Sequence, residues 1–177
     1  MLVRERLGLV KQQTAIINKL HALDYQAKKA KSTIKRYNEQ LKLIRKQLKE
    51  IDKEIDNHLK SDEQVSRKVE NMETIPGIGT TTIATVLAET DGFRKTPNVR
   101  QLVAFAGYKV TVRQSGQWQG QGHISKRGNK FIRQALHMPT LSIIQCNPIL
   151  KEKYQSLKPR KAKPIIATTA IERKALI

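Results

Sequence analysis

Cysteine is almost missing from this chain: Cys146 is the only one in 177 residues. A lone thiol cannot close an intrachain disulfide and is too few for a cysteine-based zinc site. His21, His58, His123 and His137 are scattered, so no metal site is expected from them. No uninterrupted apolar run nears the ~18 residues of a membrane span, and no basic-then-apolar signal segment opens the chain. The expectation is a cytoplasmic protein with no membrane partner. Aromatics make up 5% of residues, with no array set out to stack bases. Acids are the most telling scarcity. From Gly92 to Ile177 only Glu152 and Glu172 oppose 17 Lys and Arg, so that half carries +15 of the total +19, and the first 91 residues carry +4. A charge that far from zero exceeds what solubility needs and points to a polyanionic partner gripped by the C-terminal half.

Between Leu9 and Ile75 there is no glycine and no proline, 67 residues without the usual helix punctuation. Steps of four and three from Leu9 reach Gln13, Ile16, Leu20, Leu23, Ala27, Ala30, Ile34, Tyr37, Leu41, Ile44, Leu48, Ile51 and Ile55, and only Gln13 is clearly polar. A 3.5-residue apolar period keeps a narrow seam facing a partner helix, as in a coiled coil. Unbroken, such a helix would run ~70 Å. Ala27, Ala30 and the Asp24-Tyr25 pair weaken the middle of the seam, so a hairpin of two helices stands as the other reading. An arm this thin cannot bury its own seam fully, which leads us to expect a homo-oligomer joined through it. Glu50, Asp52, Glu54 and Asp56 alternate with Lys49 and Lys53. They read as a solvated helix face rather than as metal ligands, which would converge in a cleft.

Thr74-Ile75-Pro76-Gly77-Ile78-Gly79-Thr80-Thr81-Thr82 leads into Ile83, Ala84, Val86, Leu87 and Ala88 at helical spacing. This is a tight turn launching a helix, whose first N–H groups and dipole suit a phosphate. The pattern resembles the helix-hairpin-helix motif, which holds DNA through its phosphates and so without base specificity. The plainer reading is a helix–turn–helix connection with proline as stop signal and glycine supplying positive φ. A nucleotide phosphate loop is not supported, because Gly77-Ile78-Gly79 lacks the following Lys-Ser/Thr.

Further on, Val110 and Val112 alternate with Lys109, Thr111 and Arg113 as a short half-buried strand, Gln114 to Gln117 turns, and Trp118 with Ile124 suggests the return. Ser125-Lys126-Arg127-Gly128-Asn129-Lys130 then opens a helix carrying Phe131, Ile132, Ala135 and Leu136. Cations at a helix start oppose its dipole unless an anion sits there. By propensity Ser115 is a turn residue, and no histidine within a few positions completes a hydrolase triad. A serine can still attack phosphorus where cations such as Arg113, Lys126 and Arg127 neutralise developing charge.

The coil, the Ile-Pro-Gly-Ile-Gly turn, Arg100-Gln101-Leu102-Val103-Ala104-Phe105-Ala106-Gly107, Val112-Arg113-Gln114-Ser115-Gly116 and Ile124-Ser125-Lys126-Arg127-Gly128-Asn129 follow one another in a fixed series, and Asn147-Pro148 fits it too. The series resembles the C-terminal part of the insertion-sequence 110/116/902 transposases, the DEDD-type enzymes of bacterial and archaeal mobile elements. The resemblance implies that Ser115 is the nucleophile that holds DNA covalently, with Arg113, Lys126 and Arg127 in support. It places Gly77, Ile78, Gly79, Thr80, Thr81, Lys130 and Arg133 in the DNA-engaging surface. It further implies that the coil assembles subunits and that a structured element-encoded RNA is a partner besides DNA. The family's ribonuclease-H-like domain, which holds magnesium ions on four acidic residues, would precede the coil. No cofactor is expected in this chain itself, and activity alone is not expected.

The fold expected is therefore mainly α: a coiled-coil helix or helical hairpin over residues 1–70, then over 71–177 a small helical DNA-binding domain with a helix-hairpin-helix and a short β-hairpin. A face of Ile165, Ile166, Thr169, Ala170, Arg173, Leu176 and Ile177 ends without a cap, as in a shortened product or a fragment. Two functions follow. One is a transposase portion that cleaves and rejoins strands when completed by the acidic domain; the alternative is a non-catalytic, self-associating remnant that binds DNA or RNA.

Overall fold

The structure is a computed structural model that describes residues 1–25, 31–112, 114–120, 122–161 and 163–177. It is mainly α and divides into two compact units, Met1–Glu63 and Gln64–Ile177.

The first unit is two helices, α1 (Leu2–Asp24) and α2 (Lys31–Lys60). Within the glycine-free stretch, α1 and α2 pair as a hairpin rather than forming one long rod. Arg6 Nε meets Asp52 Oδ1 at 2.5 Å toward one end, and Lys19 Nζ lies 5.7 Å from the centre of the Tyr37 ring toward the other, so the helices run antiparallel. Seam residues Ile16, Leu41 and Ile44 are buried, with Leu9, Leu20, Tyr37 and Leu48 packed against them. The two halves of the 3.5-residue pattern thus cover each other. Hydrophobic burial, at ~25 cal/mol per Å², is the main force behind such pairing, and much of it is already satisfied within the chain. Ala27 and Ala30 of the expected seam lie outside the described residues.

In the second unit α3 (Glu63–Glu73), α4 (Thr80–Thr90) and α5 (Val99–Phe105) are followed by four two-residue strands: β1 (Val110–Thr111), β2 (Gln114–Ser115), β3 (Trp118–Gln119) and β4 (His123–Ile124). Then come α6 (Lys130–Cys146), α7 (Pro148–Leu157), a 3-10 turn (Lys158–Arg160) and α8 (Pro164–Ala175). The core gathers Val86, Leu102, Val103, Ala106, Tyr108, Ile132, Leu136 and Leu176. It therefore joins α4, α5, α6 and the chain end.

Helix α4 is buried almost all round. Ile83, Val86 and Leu87 are inside as their spacing predicts, and so are Thr82, Thr85, Glu89 and Thr90, while Ala88 is exposed. Threonine suits such a position because its hydroxyl can be satisfied within its own helix: Thr85 donates to the Thr81 carbonyl and Thr90 to that of Val86, each at 2.7 Å. Thr82 points across instead, donating to the Ala135 carbonyl at 3.3 Å. That acceptor is free for a reason readable in the sequence. Pro139 stands inside α6 with no N–H to return to the carbonyl four residues earlier.

Two sequence expectations are corrected here. On α8 the buried residues are Ala167, Thr168, Ile171, Glu172 and Ala175, followed by Leu176, whereas Ile165, Ile166 and Ile177 are exposed. The helix is turned away from its most apolar stripe because small residues allow close packing and Glu172 has polar partners inside. Val110 and Val112 are likewise exposed, at 48% and 60%, rather than half-buried. The hairpin that carries them stands off the core, with Ile124 the strand residue packed against it.

Candidate functional site

The turn at residues 74–79 joins α3 to α4, and its two glycines have different duties. Gly77 has φ +97°, and a Cβ there would lie 2.9 Å from the Ile143 backbone nitrogen and 3.1 Å from the Ser142 carbonyl carbon. Glycine is required because the turn presses against the backbone of α6. Gly79 has open space around it and an ordinary φ of −97°, and it is the N-cap of α4 without a side-chain cap. The first turn of α4 therefore keeps its N–H groups uncovered by a capping side chain at exposed Thr80 and Thr81. Ile78 is half-buried between the two glycines.

Ser115 closes a β-hairpin. Strand β2 pairs antiparallel with β3, Ser115 facing Trp118, which leaves Gly116 and Gln117 as a two-residue turn. Gly116 has φ +56° and Gln117 does not have positive φ, the arrangement of a type II′ turn with glycine first. Ser115 is exposed, and among the described residues its hydroxyl has no hydrogen-bond partner. A second ladder continues the hairpin, Val110 facing Ile124 and Thr111 facing His123. His123 is exposed. Arg113 lies outside the described residues.

The basic loop is held by its backbone, which leaves its side chains outward. The Ser125 N–H donates to Lys109 O at 2.8 Å, the Lys126 N–H to Gly107 O at 3.1 Å and the Asn129 N–H to Phe105 O at 2.6 Å. Lys126 adopts φ +53°, and a Cβ at Gly128 would fall 2.3 Å from Phe105 O and 2.8 Å from Gly107 N. The Ser-Lys-Arg-Gly-Asn run and the Ala-Phe-Ala-Gly run, separate motifs in sequence, are thus one backbone-to-backbone junction. Lys126 and Arg127 are exposed beyond it.

At the start of α6 the expected anion position is partly filled. Asn129 Oδ1 accepts from the N–H groups of Phe131 at 2.8 Å and Ile132 at 3.2 Å. An anion would therefore be met by the Lys126, Arg127 and Lys130 side chains more than by these donors. Lys130 is exposed, with Nζ 5.4 Å from the centre of the Phe131 ring. Arg133 is turned inward: its Nη1 donates to Ala106 O at 2.7 Å and to Asn129 O at 3.3 Å. In this structure its guanidinium fastens the glycine junction.

Two buried acids escaped the sequence reading. Glu89 accepts from the Asn129 side-chain amide, tying α4 to the basic loop. Glu172 accepts from the Tyr108 hydroxyl at 3.0 Å and from Nδ1–H of His137 at 2.7 Å. Burial, followed by the Glu172 charge and its hydrogen bond, drives the Tyr108 pKa well above the ordinary tyrosine range, with Arg133 opposing. A signal for Glu172 was available: it is one of two acids in the last 86 residues. Among the described residues no group of three or more His, Cys, Asp and Glu comes together. The acids of α2 are strung along a helix, with Asp52 engaged by Arg6.

Fold and site together define a basic, mainly helical unit that combines a glycine-bearing helical turn with an exposed, serine-bearing β-hairpin. Residues 69–155 match the model of the transposase IS116/IS110/IS902 family, so the chain carries a domain of that family. The match encloses the turn at Gly77, the hairpin at Ser115 and the basic loop, and it ties the chain to DNA transposition. No curated protein matches the chain. No helix among the described residues is long and apolar enough to cross a membrane.

Proposed function

We propose that the second unit is the strand-handling part of a transposase, with Ser115 as its nucleophile. The observation that carries the reading is an exposed serine hydroxyl, without a hydrogen-bond partner among the described residues, at a hairpin tip inside the segment that matches a transposase family. In the step proposed, Ser115 Oγ forms a bond to a backbone phosphorus and the bond from that phosphorus to one flanking sugar oxygen breaks. The serine proton leaves to a base and the departing oxygen is protonated; reversal rejoins the strand. Lys126, Arg127 and Arg113 supply positive charge to the phosphoryl oxygens. The α3–α4 turn works as a helix-hairpin-helix, its Gly79, Thr80 and Thr81 N–H groups facing a phosphate. The general base is not assigned to this chain, in keeping with an activity that needs the family's acidic domain. Assembly through the helical hairpin and an element-encoded RNA partner belong to the same proposal.

The test is a denaturing-gel assay for a protein–DNA adduct, using element-end DNA with the acidic domain and any required RNA supplied. The wild-type chain is expected to form the adduct and Ser115→Ala to form none. An adduct that persists undiminished in Ser115→Ala removes the serine from the chemistry.

A further inference from the structure

The overall charge count hides an uneven distribution within the first unit. Of its described residues, those in the half of the hairpin near the turn, 13–25 and 31–49, include eight Lys and Arg against Asp24 and Glu39. The other half, 1–12 and 50–60, balances five Lys and Arg with five acids.

The cations of the turn-end half are also aligned. At ~100° per residue, Lys31, Lys35, Lys42, Arg45, Lys46 and Lys49 fall within an arc of roughly 100° on α2, away from the Leu41 and Ile44 side that faces α1. All six are exposed. Lys46 has one long ion pair, 3.8 Å to Glu50, and the other five have no acidic partner among the described residues. Two shallow concavities follow one another along this stripe and share Asn38 and Lys42. From Lys31 to Lys49 the array is ~27 Å long, at ~1.5 Å per residue.

A solvated helix face normally mixes signs. Six aligned cations, with Glu39 at their edge and one long acid pair, repel each other, and a continuous run of negative charge would offset that cost. A second copy of the hairpin offers no such run, because its other half is neutral. A bilayer surface would favour apolar side chains beside the cations, and no exposed large hydrophobic lies in the arc. A DNA duplex presents a negative charge every ~1.7 Å of its axis, which suits a straight stripe of this length.

We propose that the Lys31–Lys49 stripe of α2 is a DNA contact in its own right, docking the sugar-phosphate backbone of a DNA duplex without reading its bases. It is separate from the strand-handling site of the second unit and does not depend on Ser115.

The experiment measures binding of the full chain to a 30-base-pair DNA duplex and an RNA duplex of the same length by fluorescence anisotropy across a salt series. The triple variant Lys35→Ala/Lys42→Ala/Lys49→Ala is compared with Lys11→Ala/Lys53→Ala/Lys60→Ala, which removes the same charge from the other half. Circular dichroism checks that both keep their helix content, as substitutions of exposed residues should. Losing three phosphate contacts is expected to reduce the slope of log K against log salt by ~2.7, at ~0.9 per contact. The affinity for the DNA duplex should fall at least tenfold, and the control triple should change neither quantity. Loss with the DNA duplex upholds the proposal, whereas loss with the RNA duplex alone assigns the stripe to RNA and overturns it. The proposal is likewise overturned if both triples have the same slope on the DNA duplex, or if neither differs from the wild-type chain. Adduct formation by Ser115 is a separate readout, so failure of the stripe and failure of the serine are told apart.

Discussion

Gly77 and Gly79 are the same residue type two positions apart, and their environments differ enough to separate them by experiment. At Gly77 both the positive φ and the α6 backbone exclude a Cβ, whereas at Gly79 neither does. Gly77→Ala is expected to destabilise the second unit by at least ~1 kcal/mol, the usual scale for alanine forced into positive φ, with the backbone overlap adding to it. Gly79→Ala should leave urea unfolding within ~0.5 kcal/mol of wild type. If Gly79 approaches a phosphate as proposed, that second variant instead weakens DNA binding at unchanged stability. Equal stability losses for the two variants would contradict the packing described. Arg133 teaches a related lesson. The resemblance put it in the DNA-engaging surface, and in this structure its guanidinium is bonded to the Ala106 and Asn129 carbonyls.

At the scale of elements, the second unit is joined by a few polar contacts laid over its apolar core. Thr82 satisfies the carbonyl that Pro139 leaves open on α6, Asn129 both caps α6 and reaches Glu89 of α4, and Glu172 of α8 receives Tyr108 and His137. Each acid is buried, so removing its donor leaves an acceptor unpaired, at a cost of ~1–3 kcal/mol. Tyr108→Phe is expected to cost this much at pH 7. It should also alter the response to alkali. The folded chain holds the Tyr108 proton above the ordinary pKa near 10, so above that pH the unfolded chain has bound fewer protons and stability falls as pH rises. This contribution is at most ~1.4 kcal/mol per pH unit. Urea unfolding of wild type and Tyr108→Phe between pH 9 and 11 should show the steeper decline in wild type. Parallel declines would remove Tyr108 as its source.

Over the whole molecule, the two units have distinct foundations. The first is stabilised by one antiparallel seam. The core of the second is drawn from helices on both sides of the β-hairpin, and it includes Leu176 at the chain end. A chain of residues 64–177 alone is expected to unfold cooperatively and to bind duplex DNA with strong salt dependence. Removing residues 164–177 from it should abolish cooperativity, because Ala167, Ile171 and Leu176 are buried in the packed unit. Thermal unfolding followed by circular dichroism checks both. A non-cooperative 64–177 fragment would show that the second unit depends on the first.

Much was legible without coordinates because it depends on local pattern. Helical periodicity marked the arm, α4 and the start of α6; Pro-Gly and Ser-Gly marked the turns; the scarcity of acids after Gly92 located the charge. The ordered motifs pointed to the transposase family that the match over residues 69–155 shows. What the tertiary structure alone decided was pairing over distance. A 3.5-residue period serves a partner copy and a folded-back partner equally, so only the antiparallel contacts of Arg6 with Asp52 and Lys19 with Tyr37 reveal a hairpin. Amphipathic patterning rewards apolar residues, so it favoured Ile165 and Ile166 on α8. It could not register that Glu172 would be buried by the two donors waiting for it, 64 residues back at Tyr108 and 35 back at His137. Sequence thus determined which segments are helical, where the chain turns and where its charge lies. Which polar groups are buried, and which copy of the seam closes it, depended on partners distant in the chain, because desolvation is a property of the packed surroundings.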